Sequence, residues 1–102
     1  MPLNKTILHS AIGLLSRREH SIVELTQKLS AKAKEDIEPQ ALDDVIEYLI
    51  ANDYLSNERY AESVIRNKVS RGYGWQYIKQ ALKQKGIDSY IANEALAEQN
   101  VD

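Results

Sequence analysis

Apolar residues recur along this chain with the period of an α-helix, and six stretches show it. Ile7, Leu8, Ala11, Ile12, Leu14 and Leu15 share a face between Leu3 and Ser16. After a polar joint, Arg17-Arg18-Glu19-His20, Ser21 and Glu24 form a capping box, and Ile22, Leu25 and Leu29 carry a second helix to about Lys32. A polar connection from Ala33 to Glu38 leads to Pro39, which suits the first turn of a third helix. That helix turns Leu42, Val45, Ile46, Leu49 and Ile50 inward and ends near Asn52-Asp53. Ser56 caps a fourth helix, with Tyr60, Ala61, Val64, Ile65 and Val69 inward and Gly72 as its stop. Gly74 opens a fifth, in which Trp75, Ile78 and Leu82 make one buried stripe before the left-handed stop at Gly86. Asp88 caps a sixth, burying Ile91, Ala95 and Leu96. No β-branched alternation competes with these helices, so the fold class is all-α.

The six helices are two copies of three. A shift of 53 residues lays Ala11-Ile12 on Val64-Ile65, Ser21 on Gly74, Leu25 on Ile78, Leu29 on Leu82 and Lys32 on Lys85. Beyond the loop the shift becomes 50, with Ile37 on Ile87, Glu38 on Asp88, Val45 on Ala95 and Ile46 on Leu96. The difference is an insertion, and insertions belong in loops. The expected architecture is therefore an elongated array of tandem three-helix repeats, residues 1–53 and 54–102. Such arrays usually draw stability from about three or more units, so two copies read as an incomplete one.

Composition narrows the function classes. A chain of 102 residues buries only roughly 60 to 70% of its extended surface, so the core is thin. Mean hydropathy is -0.47 and no apolar run approaches the ~18 residues of a membrane span. Zero cysteines and an opening Met1–Lys5 without a signal-peptide core give cytoplasmic localisation as the expectation. The net charge of -2 argues against a strong general nucleic-acid binder, but it conceals blocks. Residues 1–34 are net +4, and residues 35–62, with nine carboxylates and Arg59 alone, net -8. Arg66 to Lys85 holds six bases and no acid, and the remainder is net -4. Distinct basic and acidic surfaces follow from that segregation.

The basic block holds the candidate site. On the fifth helix Gln76, Lys79, Gln80 and Lys83 form an outward face that is polar and positive, with no carboxylate to offset it. Arg66, Lys68 and Arg71 precede it, and Tyr73 and Tyr77 lie one turn apart beside Arg71. These seven, Arg66, Lys68, Arg71, Tyr73, Tyr77, Lys79 and Lys83, are the candidate contacts to an acidic protein surface or to phosphates. The other tyrosines read as half-buried core and corner residues. His9 and His20 lack metal-ligand spacing, and His20 reads as a solvated turn residue. Asp43, Asp44 and Glu47 form the wet side of the third helix rather than a catalytic pair. Gly72-Tyr73-Gly74 lacks the preceding strand and the third glycine of a phosphate-binding turn, and reads as a bend. No catalytic residue, cofactor or metal is implied.

Several motifs in fixed order resemble one family. Glu58-Arg59-Tyr60-Ala61, Arg71-Gly72-Tyr73-Gly74, Ile78, Leu82 and Lys85-Gly86-Ile87 are similar to the hallmark of bacterial RecX regulatory proteins. The upstream Leu15–Ser21 segment with Glu24-Leu25 and Lys28-Leu29 resembles the first unit of that family, as does Leu49–Leu55. The resemblance implies tandem three-helix units and a non-catalytic protein that binds the RecA recombinase in the groove of its filament. It also implies inhibition of filament growth, ATP hydrolysis and strand exchange. Two departures stand out: the usual third unit does not follow, and Trp75 stands where proline is commonest. The expected function is thus a monomeric RecA regulator, with weak DNA binding at most. Two alternatives differ in class, a helix-turn-helix DNA binder using the Trp75 helix and a helical adaptor with no nucleic-acid role.

Overall fold

The computed structural model describes residues 3–33 and 37–99. The expected connection from Ala33 to Glu38 lies partly outside them. Six helices follow in order: α1 Lys5–Arg17, α2 Ile22–Ala33, α3 Pro39–Ala51, α4 Asn57–Ser70, α5 Trp75–Gln84 and α6 Ser89–Gln99. Among the described residues there is no strand. The chain divides into two compact units, Met1–Ser56 and Asn57–Asp102, each holding three helices.

The helix ends lie where local chemistry satisfies the orphaned backbone groups. Asn4 caps α1, its Oδ1 accepting from the Ile7 N–H at 3.0 Å. Ser21 and Glu24 close a reciprocal capping box on α2: the Glu24 N–H donates to Ser21 Oγ at 3.0 Å, and the Ser21 N–H to Glu24 Oε1 at 3.4 Å. Asp88 Oδ1 accepts from the Ile91 N–H at 2.9 Å at the start of α6.

Three helices stop by the same device. After α4 the Gly72 N–H donates to the Val69 carbonyl and the Tyr73 N–H to the Lys68 carbonyl, both at 3.0 Å. After α5 Gly86 and Ile87 repeat the pattern onto Lys83 and Leu82, and after α3 Asp53 and Tyr54 repeat it onto Ile50 and Leu49. Each motif turns on a left-handed residue, Gly72 at φ 86°, Gly86 at φ 79° and Asp53 at φ 65°. Only Asp53 carries a Cβ there, and a short polar side chain tolerates that region best.

Each unit has its own core. In the first, Ile7 and Ala11 of α1, Leu25 and Leu29 of α2, and Val45, Ile46 and Leu49 of α3 are buried together with Leu55. In the second, Tyr60, Ala61 and Ile65 of α4, Ile78 and Leu82 of α5, and Ala92 and Ala95 of α6 are buried with Ile87. Leu25 and Ile78, one repeat apart, are both sealed from solvent, and each burial contributes on the order of 2 kcal/mol.

Several expected core positions are corrected. Ile50 follows Leu49 by about 100° around the helix, which carries it past the buried arc into solvent. Val69, 55% exposed, borders an open groove with Arg66, Ser70, Leu96 and Gln99. Ile12 is exposed while Ala11 is sealed. Trp75 is only partly buried against the second core, and Ala92 replaces Ile91 and Leu96 as the most buried residue of α6 beside Ala95. Of the tyrosines Tyr60 alone is buried; Tyr48 and Tyr54 are about half-buried, as expected, whereas Tyr90, 72% exposed, stands in solvent.

Candidate functional site

The joint between α4 and α5 is residues 71–74, and its geometry follows from two glycines. Gly72 turns the chain left-handed, and Gly74 in extended conformation (φ -80°, ψ 164°) starts α5. Tyr73 is held between them by its N–H on Lys68, while Tyr77 rises from the first turn of α5. The two rings therefore meet face to face, with centroids 4.4 Å apart and planes 16° from parallel. Lys68 Nζ lies 5.0 Å from the Tyr73 centroid and 5.7 Å from that of Tyr77, and the Arg71 guanidinium carbon lies 5.8 Å from Tyr73.

The cluster is largely in water, Tyr73 being 37% and Tyr77 51% exposed. Cation–π contacts in such a setting are worth about 0.5 to 1 kcal/mol each, enough to order the side chains without consuming their charge. Among the described residues, no carboxylate pairs with Lys68 or Arg71. The arrangement offers positive charge on an aromatic bed, chemistry for holding an anionic group rather than transforming it.

The remaining candidates are not brought into this cluster. Arg66, two residues from Lys68 and so on another face of α4, lines the groove of about 270 Å³ that Val69 borders. Lys79 and Lys83 line a groove of about 390 Å³ with Gln76, Gln80, Ile87, Asp88, Ser89 and Ala92. Asp88 thus brings to this face a carboxylate from the start of α6, correcting the uniformly positive surface expected from α5 alone. Among the described residues no group of histidine and carboxylate side chains is arranged to hold a metal, and no helix is long and apolar enough to cross a membrane.

The corresponding joint of the first unit, residues 18–21, holds a polar cluster that sequence reasoning missed. Arg18 Nη1 donates to Glu24 Oε1 at 3.1 Å and Nη2 to Oε2 at 2.6 Å. His20, expected in solvent, is 1% exposed. Lys28 Nζ lies 3.0 Å from His20 Nε2; an ammonium has no acceptor, so Nε2 accepts and Nδ1 carries the proton. Nδ1 then donates to the Arg18 carbonyl at 3.1 Å, and the imidazole is neutral. Burial, with the charges of Arg18 and Lys28, holds the His20 pKa below its ordinary value despite that carbonyl bond and Glu24. Burial alone would raise Glu24, but the Arg18 hydrogen bonds and charge outweigh it, aided by the Ser21 N–H, and hold the carboxyl below the usual range.

Residues 56–96 match the family described as RecX, second three-helix domain. The regulatory protein RecX of Vibrio parahaemolyticus is 39% identical over 93 residues, covering 91% of this chain and 58% of that protein. That of Serratia proteamaculans is 32% identical over 115 residues, covering 94% of this chain and 68% of that protein. The crystal structure of RecX from Lactobacillus salivarius superposes with a TM-score of 0.81 at 31% identity, covering 91% of this chain and 59% of that one. The chain thus spans less than two thirds of the Vibrio relative's length, as it does for the Xanthomonas campestris regulatory proteins RecX, at 56%.

Proposed function

The chain belongs to the RecX family of regulatory proteins, and on that premise we propose that it binds the RecA recombinase filament and inhibits its activity in recombination and DNA repair. It acts by occupancy, as a cytoplasmic monomer without cofactor or catalytic residue, under the SOS response. Residues 1–53 and 54–102 serve as two three-helix repeats. The observation that carries the reading is the exposed Lys68, Arg71, Tyr73 and Tyr77 cluster, whose cations lack a carboxylate partner among the described residues. Tyrosine and arginine together are the residues that most often anchor protein interfaces. Arg66, Lys79 and Lys83 contribute outlying charge contacts.

The test is RecA ATPase on single-stranded DNA with and without this chain, alongside direct DNA binding without RecA. Inhibition is expected, together with DNA binding that fades by physiological salt. Arg71→Ala should remove most of the inhibition while leaving the melting temperature nearly unchanged, and Arg71→Lys should restore only part. No inhibition, with tight salt-resistant DNA binding through Gln76, Lys79, Gln80 and Lys83, would replace the reading with a helix-turn-helix one. Absence of both activities would leave a helical adaptor.

A further inference from the structure

The shift of 53 residues lays Arg18 on Arg71, His20 on Tyr73, Ser21 on Gly74 and Glu24 on Tyr77. The two joints have the same length, residues 18–21 and 71–74, between helices that end and begin at matching positions. In the first, the arginine is already occupied: both Glu24 oxygens receive hydrogen bonds from the Arg18 guanidinium. In the second, the arginine is kept and the carboxylate is replaced by Tyr77. We propose that the α4–α5 joint is a carboxylate socket, in which Arg71 takes from an acidic segment of a partner protein the contact that Arg18 takes from within. The inference rests on reading this cluster as the docking surface, and it names the chemistry that docks.

Three further observations fit a carboxylate as the occupant. The register position of Lys68 is held in the first unit by Leu15, so the second joint has gained a cation where it has lost an acid. Tyr73 stacks on Tyr77 at 4.4 Å, which closes one face of each ring to a base, and Lys68 and Arg71 set two cations beside the stack. The planar guanidinium fork matches two carboxylate oxygens in parallel, the pairing that the first unit displays. The tyrosines then flank the bound acid and shield the ion pair from water.

The repeat also supplies the decisive variant. Tyr77 is the third residue of α5, as Glu24 is of α2, so Tyr77→Glu fills the socket from within. A glutamate near a helix N-terminus is compatible with folding there. The whole chain, labelled for NMR, is titrated with a peptide of alternating Glu and Gly, its Gln counterpart, and an oligothymidylate of equal charge. The Glu peptide should shift the Arg71 Nε–H and Tyr73 ring signals saturably, and the Gln peptide should not. Tyr77→Glu should shift the Arg71 signal with no peptide present and weaken peptide binding about tenfold, while Tyr77→Gln, which loses the flanking ring without adding a carboxylate, should weaken binding only a few-fold. Arg71→Lys, with Tyr77 intact, should also weaken binding about tenfold. The proposal is overturned if the Glu peptide leaves these signals in place, if Tyr77→Glu changes neither quantity, or if oligothymidylate binds the same residues more tightly. It is equally overturned if the signals move with protein concentration alone, the mark of a second copy as occupant. RecA is absent throughout, so failure here leaves the ATPase test standing.

Discussion

The two interhelical joints share length, register and an arginine, yet one is closed and the other open. At residues 18–21 the polar groups turn inward: Glu24, only 8% exposed, binds Arg18 and caps α2, and His20 bridges Lys28 to a backbone carbonyl. At residues 71–74 the side chains turn outward, the backbone alone makes the caps, and the rings stack in solvent. A helical repeat therefore does not fix what its joint is for. The three-helix core makes the framework, and a few substitutions decide whether the joint contributes to stability or offers a surface.

Acid should expose that contrast most strongly, because it acts on His20 and Glu24 in the polar cluster of the first joint. His20 has a folded pKa below its unfolded value, so the folded state resists protonation and stability falls as pH drops below about 6.5. Glu24, also depressed, contributes stability that is present above about 4.5 and lost as pH falls through its folded pKa. Both signs agree. Amide exchange should show α1 and α2 losing protection at a higher pH than α4 and α5, and simultaneous loss would break the comparison.

Substitution at equivalent positions gives the next largest difference. Glu24→Ala removes the Arg18 pair and the capping box together and should cost about 2 kcal/mol in urea unfolding. Tyr77→Ala, at an exposed position, should cost less than about 1 kcal/mol. Equal losses at the two positions would show that the second joint is structural after all.

The smallest effect separates backbone from side chain at the open joint. A Cβ added at Gly72 meets nothing within 4 Å, so Gly72→Ala bears only the cost of a left-handed alanine, roughly 1 kcal/mol. Thermal melting should register that loss without loss of helix content. A much larger cost would place Gly72 in packing rather than in the turn.

The parts of this molecule that follow from local chemistry were legible in the residues. Ser21 with Glu24, Pro39, Gly72, Gly74 and Gly86 mark helix ends through rules that span three or four positions, and the structure has each of them in that role. His20 was not legible, because its burial depends on Lys28 reaching back from the next helix over a run that reads as solvated. Asp53 gave little warning either, since aspartate adopts a left-handed turn far less often than glycine. Within the candidate site, Arg71, Tyr73 and Tyr77 could be grouped from spacing alone. The place of Lys68 over both rings required the turn geometry, and the entry of Asp88 beside Lys79 and Lys83 required the packing of α6.

Trp75 occupies the first position of α5, between the two stacked tyrosines in sequence, and it is the sole tryptophan of the chain. Its indole is partly buried against the second core. Excited at the red edge of the aromatic band, the chain emits from one fluorophore, which reports a single unit and is set beside the open joint. Emission followed against denaturant therefore tracks residues 57–102, whereas circular dichroism averages over all six helices. If the two curves separate, the units melt independently; if they coincide, the repeats unfold as one. The same colour shift offers a label-free readout of anything that settles on Tyr73 and Arg71.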